Sequence, residues 1–143
     1  MAIVGIALFL RLLMTFDTGG FGEEEVRIAH EVASGNGFQA PSLYGDEIRS
    51  TSQKSPAVSY LIALSLLLSS SFPYVGFIVV QAIVGAVGCW WLARLGEMTL
   101  GYRTGLIAAM LAAFFVPHIW WIRHYGEHIF AATGMIGVLL LLY

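Results

Sequence analysis

Apolar residues fall in long blocks along this chain instead of alternating with polar ones. The blocks cover residues 2–16, 56–71, 74–93 and 104–122, and a fifth opens at His128 and runs to Tyr143. None has the two-residue alternation of a half-buried strand, so each reads as a helix. A crossing of the hydrocarbon core needs about 20 residues. Blocks 74–93 and 104–122 meet that length, block 1–16 reads as a short retained transmembrane helix, and 128–143 as the start of another. Block 56–71 is shorter and has Pro56 and Pro73 around it, which suits a discrete interfacial or re-entrant helix. Between the first two blocks lies a polar loop, 17–55. Inside it Val26, Ala29, Val32 and Ala33 recur at helical spacing. They predict an amphipathic helix over 23–33, stopped at Gly35, with its apolar face on the membrane surface.

Composition agrees. Of the 143 residues, 58% are hydrophobic and 11% charged, with mean hydropathy +0.79. Soluble domains carry roughly 25% charged residues. Disorder, nucleic-acid binding and an ordinary soluble enzyme are excluded. The fold class expected is all-α: a polytopic transmembrane bundle with an extracytoplasmic loop carrying interfacial helices. The net charge of −2 points to no charged partner, and the single cysteine, Cys89, reads as a small core residue. Both chain ends are abrupt and apolar, so the chain is expected to be a piece of a larger membrane protein.

Charge position sharpens this picture. Ten of the 16 charged residues lie between Asp17 and Lys54, and none between Ser55 and Ala93. Arg11, within the first block, is expected to snorkel from a helix end. Arg94 and Arg103 bracket a short junction, which the positive-inside rule assigns to the cytoplasm. The acidic loop then lies outside. One crossing, 74–93, separates the two, so 56–71 does not cross. The next crossing returns the chain outward and brings 123–128 to the side of the acidic loop.

Three polar groups could carry chemistry. Glu23, Glu24 and Glu25 stand at a helix start, where acids suit the macrodipole; they read either as a solvated face or as a general base or metal ligand at membrane level. Lys54, the only lysine, is either an interfacial anchor or a cation for a lipid head or a leaving phosphate. Residues 117–128 combine an aromatic belt with Arg123, His124, Glu127 and His128. His124 and His128 share a helix face beside Glu127, a set that could hold a divalent metal. Gly85 and Gly88, with Ala82 and Ala86, allow close helix packing.

The order of these pieces resembles the N-terminal part of the GT-C glycosyltransferases, polytopic enzymes that use lipid-phosphate-linked sugars. It is most similar to the bacterial relatives of protein O-mannosyltransferases and to the lipid A aminoarabinose transferase. The matching residues are Phe21-Gly22-x-Glu24-x-x-Arg27-Ile28-Ala29, Gly35-x-Gly37-Phe38, Lys54-x-Pro56 with Tyr60, Leu92-Ala93-Arg94, Gly101-x-Arg103, and Trp121-x-Arg123-x-x-x-Glu127. They cover nearly the whole chain, and their order rather than any one motif carries the likeness. The resemblance implies sugar transfer from a polyprenyl-phosphate donor to an acceptor hydroxyl at the outer face of the cell membrane. Glu24, or its neighbour Glu23, would be the base, Lys54 and Arg123 would face the lipid phosphate, and Glu127 would position acceptor or base. Gln53 stands where the aminoarabinose branch has an acid before its lysine, so a metal role for that position does not carry over. The family has many more crossings, so this chain alone is expected to be inactive. Two other readings compete: a transporter or channel component, which would place ionisable residues at mid-helix, and a small accessory membrane protein complete as it stands.

Overall fold

The computed structural model describes residues 2–13, 23–41, 48–50, 55–68, 74–120 and 128–143. Helices dominate, in the order α1 (Ala2–Leu13), α2 (Glu23–Ala33), α3 (Pro56–Leu68), α4 (Val75–Leu100), α5 (Tyr102–Phe114), α6 (Val116–Trp120) and α7 (His128–Leu142). One small antiparallel pair, β1 (Gln39–Pro41) with β2 (Ile48–Ser50), departs from the all-α expectation; Ala40 stands opposite Arg49. The chain divides into two units, 19–77 and 1–18 with 78–143.

In the unit 19–77, α2 has the boundaries its sequence pattern predicts, and its end is set by local chemistry. Gly35 takes φ +83°, the Gly35 N–H donates to the Val32 carbonyl at 3.0 Å, and the Asn36 N–H reaches back to the Glu31 carbonyl at 2.9 Å. This is a Schellman close, in which glycine supplies the left-handed residue. Part of the apolar face of α2 is covered by the protein itself. Ile28 and Ala29 are fully buried, and α2 packs on α3, whose Val58, Ser59, Ile62 and Ala63 are buried in turn. Ile28, outside the spaced set that predicted the helix, is the most enclosed large residue of α2. Pro56 opens α3, where a missing N–H costs nothing. Its 13 residues rise about 20 Å, too short to cross a core of about 30 Å. The Ser65 hydroxyl then accepts the Phe77 N–H at 3.3 Å, satisfying one orphan donor in the first turn of α4.

In the second unit, α4 overruns its predicted end. It continues through the expected junction to Leu100, 26 residues in all, or about 39 Å. The polar residues there do not break it because Arg94 pairs with Glu97 one turn on, Nη1 to Oε2 2.8 Å, and no proline intervenes. The stop comes at Gly101, φ +96°. Among the described residues α4 is the one helix long and apolar enough to cross a membrane, with mean hydropathy 2.0 over its best 18 residues. The predicted crossing 104–122 is interrupted. Its helix ends at Phe114, Phe115 is extended (φ −68°, ψ 99°), and α6 restarts at Val116. Pro117 explains the break, since its ring and missing N–H would disrupt the bond to residue 113 in a continuous helix.

Small residues set the helix contacts of this unit. A β-carbon on Gly137 of α7 would lie 2.6 Å from the Trp91 ring of α4, so the ring sits on bare backbone. Ala7, Ala86, Cys89 and Ala113 form a buried cluster from α1, α4 and α5. Arg11 does not snorkel. It is 1% exposed, folded back so that its Nη1 donates to the Ala7 carbonyl at 3.0 Å and its Nη2 to the Cys89 sulfur at 3.7 Å. Gly85 makes the room: a β-carbon there would stand 2.7 Å from the Arg11 Nε.

Candidate functional site

The acid-bearing helix is the best-defined part of the candidate site. Glu23 is the first residue of α2, and Glu24 and Glu25 follow in its first turn, half-buried. Acidic side chains in a first turn suit the helix dipole. Neither Glu24 nor Glu25 is an isolated charge, and Arg27 one turn later is also engaged. At the other end of the helix the Asn36 side-chain amide donates to the Glu31 carboxylate at 2.8 Å, and the Gln39 amide to the Asn36 carbonyl at 2.8 Å.

The segment after α2 carries it back onto α3. Gly37 takes φ +85°, a conformation that L side chains rarely adopt, and turns the chain so that Phe38 stacks on Tyr60 of α3. Their centroids are 6.0 Å apart with an interplanar angle of 29°, within the range of a productive aromatic pair. Ile28 and Ala29, Gly35, Gly37, Phe38 and Tyr60 are thus assembled in one packed unit. Ile28 and Ala29 fill its interior, Gly35 ends the helix, Gly37 turns the chain, and the two rings stack.

Lys54, Arg123, His124 and Glu127 lie outside the described residues. His128 opens α7 and is exposed. Among the described residues no group of three or more His, Cys, Asp or Glu side chains gathers as a metal site.

Sequence reasoning missed the environment of Arg11. Its guanidinium lines a cavity of about 90 Å³ together with Gly85, Gly88, Cys89 and Thr133. A signal was present: Gly85 and Gly88 lie one turn apart on α4, and their bare backbones face Arg11 and Thr133 respectively. They accept polar side chains from α1 and α7, where small residues alone suggested helix-to-helix packing.

Comparison with known proteins gives no match to any family model, curated protein or solved structure.

Proposed function

We propose that the chain belongs to a multi-pass cell-membrane glycosyltransferase of the GT-C type, transferring a sugar from a polyprenyl-phosphate donor to an acceptor hydroxyl at the outer face. One observation carries the reading. The acidic start of α2 sits on a helix that packs on the short apolar α3, with Ile28 and Ala29 fully buried and Phe38 stacked on Tyr60 of α3. A base for an incoming hydroxyl must be held still, at membrane level, near a lipid-anchored donor. A carboxylate on a helix clamped to an apolar element meets that need. Glu24 would take the proton, with Glu23 as the alternative; Lys54 and Arg123 would balance the departing phosphate, and Glu127 would orient the acceptor.

The exterior of the second unit supports membrane residence. Ile107 and Leu111 on α5, and Met135, Val138 and Leu141 on α7, are exposed, an apolar surface that water does not tolerate over large areas. Helices α5 and α7 would then be bundle members beside α4, and membrane lipids the protein's immediate partners.

The test is the Glu24→Gln variant, expressed from the full open reading frame and assayed with a radiolabelled polyprenyl-phosphate sugar. Transfer should fall by at least about a hundredfold, the ordinary contribution of a positioned base, while donor binding persists. Full turnover in both Glu24→Gln and Glu23→Gln would sink the assignment.

A second reading, ion or substrate transport, is favoured by one feature. Arg11 reaches α4 at Gly85 and Cys89, the middle of the 26-residue helix, and not at its ends. Arg11 itself stands in the last turn of α1, so it is the level it reaches on α4, and not its place on its own helix, that favours this reading.

A further inference from the structure

Arg11 is buried with an incomplete set of partners. Five N–H groups decorate a guanidinium, and it cannot shed its charge inside a protein. Two of them are used, on the Ala7 carbonyl and the Cys89 sulfur, both uncharged acceptors in the form shown. The Nε–H has no partner, although Arg11 is 1% exposed. No carboxylate among the described residues bonds to it. A buried cation without a counter-charge is among the most unfavourable arrangements a protein can hold. Beside it lies a cavity of about 90 Å³. A water's share of liquid volume is about 30 Å³, so the space admits one compact ion with a water or two.

The walls suit a small anion. Thr133 offers a hydroxyl that spends its proton on the Val84 carbonyl at 3.3 Å, long for an O–H···O bond and readily redirected. A β-carbon on Gly88 would stand 2.7 Å from that hydroxyl, and one on Gly85 2.7 Å from the Arg11 Nε, so both glycines are needed to admit the polar groups. Ala112 lines the apolar remainder. A tetrahedral oxyanion would want donors on several sides, and only the Arg11–Thr133 side provides them. Water alone would solvate the guanidinium without neutralising it.

The geometry points to an internal binding site for a compact monovalent anion of the chloride class, held by the Arg11 guanidinium and the Thr133 hydroxyl between α1, α4 and α7. The site neutralises a buried charge that holds these helices together. It stands whether or not Glu24 is a catalytic base.

Chloride itself is the probe. The full chain, purified in detergent, is melted with tryptophan fluorescence as readout while chloride replaces gluconate at constant ionic strength. A saturable rise in melting temperature is expected, reproduced by bromide, with ³⁵Cl resonance broadening that titrates with protein. Arg11→Met should fold and lose both responses. Should Arg11→Met fail to fold, Thr133→Val keeps the guanidinium and should weaken chloride by about tenfold, the loss of one hydrogen bond. Equal melting in chloride and gluconate without ³⁵Cl broadening by the wild type would overturn the site, as would a chloride response that survives Arg11→Met. An unresponsive but stable wild type would mean that a carboxylate of the protein neutralises Arg11.

Discussion

Gly96 of α4 and Gly105 of α5 meet backbone to backbone: a β-carbon built on Gly96 would lie 2.6 Å from the Gly105 Cα. A β-carbon on Gly105 would in turn stand 2.6 Å from the Glu97 N. Backbone cannot yield as a side-chain tip can. Alanine raises helix propensity by up to about 1 kcal/mol over glycine, while forced overpacking costs about 1–3 kcal/mol. The clash wins. Gly105→Ala should lower stability, and Gly105→Leu should lower it further, in an unfolding titration of the detergent-solubilised protein. A Gly105→Ala variant as stable as the wild type would contradict the close approach.

The α2 terminus yields a second test. Gly35 at φ +83° closes the Schellman motif in open space, where a β-carbon meets nothing within 4 Å. The cost of Gly35→Ala is therefore conformational and not steric, about 1–2 kcal/mol. Gly35→Asn should recover part of it, because asparagine tolerates the left-handed region. The comparison is made by thermal melts of the three proteins. Equal losses for alanine and asparagine would argue against a left-handed cap.

Phe38 and Tyr60 should show a coupling in a double-mutant cycle. Stacked pairs contribute about 0.5–1.5 kcal/mol beyond area burial. Tyr60 is 52% exposed, which argues for the lower part of that range. Replacing each by leucine, and then both, isolates the pairwise energy. Strict additivity would mean that the rings are neighbours without being partners.

These three features differ in how far the sequence discloses them. Helix α2, its stop at Gly35 and the Pro56 start of α3 are legible because capping and proline chemistry act over a few residues. The continuation of α4 past Arg94 is not, because Arg94 and Glu97 look like a polar junction until their mutual pairing is seen. The Gly96–Gly105 contact depends on that continuation and was hidden with it. The interruption at Phe115 has a local signal in Pro117, which the hydropathy of the block 104–122 does not register. For the candidate site, the acids at the start of α2 are legible from helix electrostatics, and of the two fully buried residues of α2 Ala29 belongs to the spacing pattern while Ile28 lies outside it. Arg11 is illegible in kind: nothing local distinguishes a snorkelling arginine from one folded into a cavity built by glycines of a helix far along the chain.

The proposed topology sets the acidic loop and the Arg94–Arg103 junction on opposite sides of α4. Ser34, exposed just past α2, and Thr99, exposed near the end of α4, are suited to report on it. Cys89 is buried and serves as an internal control, expected to react only after denaturation. In intact cells a membrane-impermeant maleimide should label Ser34→Cys at once and Thr99→Cys only after permeabilisation. The expectation rests on a 26-residue apolar helix whose length exceeds the core thickness, and on two arginines flanking its far end, each favouring the cytoplasm. Labelling of Thr99→Cys from outside with Ser34→Cys protected would invert the protein and remove the outer-face glycosyl transfer along with it. Labelling of both from outside would mean that α4 does not cross, and the membrane-level role of Glu24 would then lack its frame.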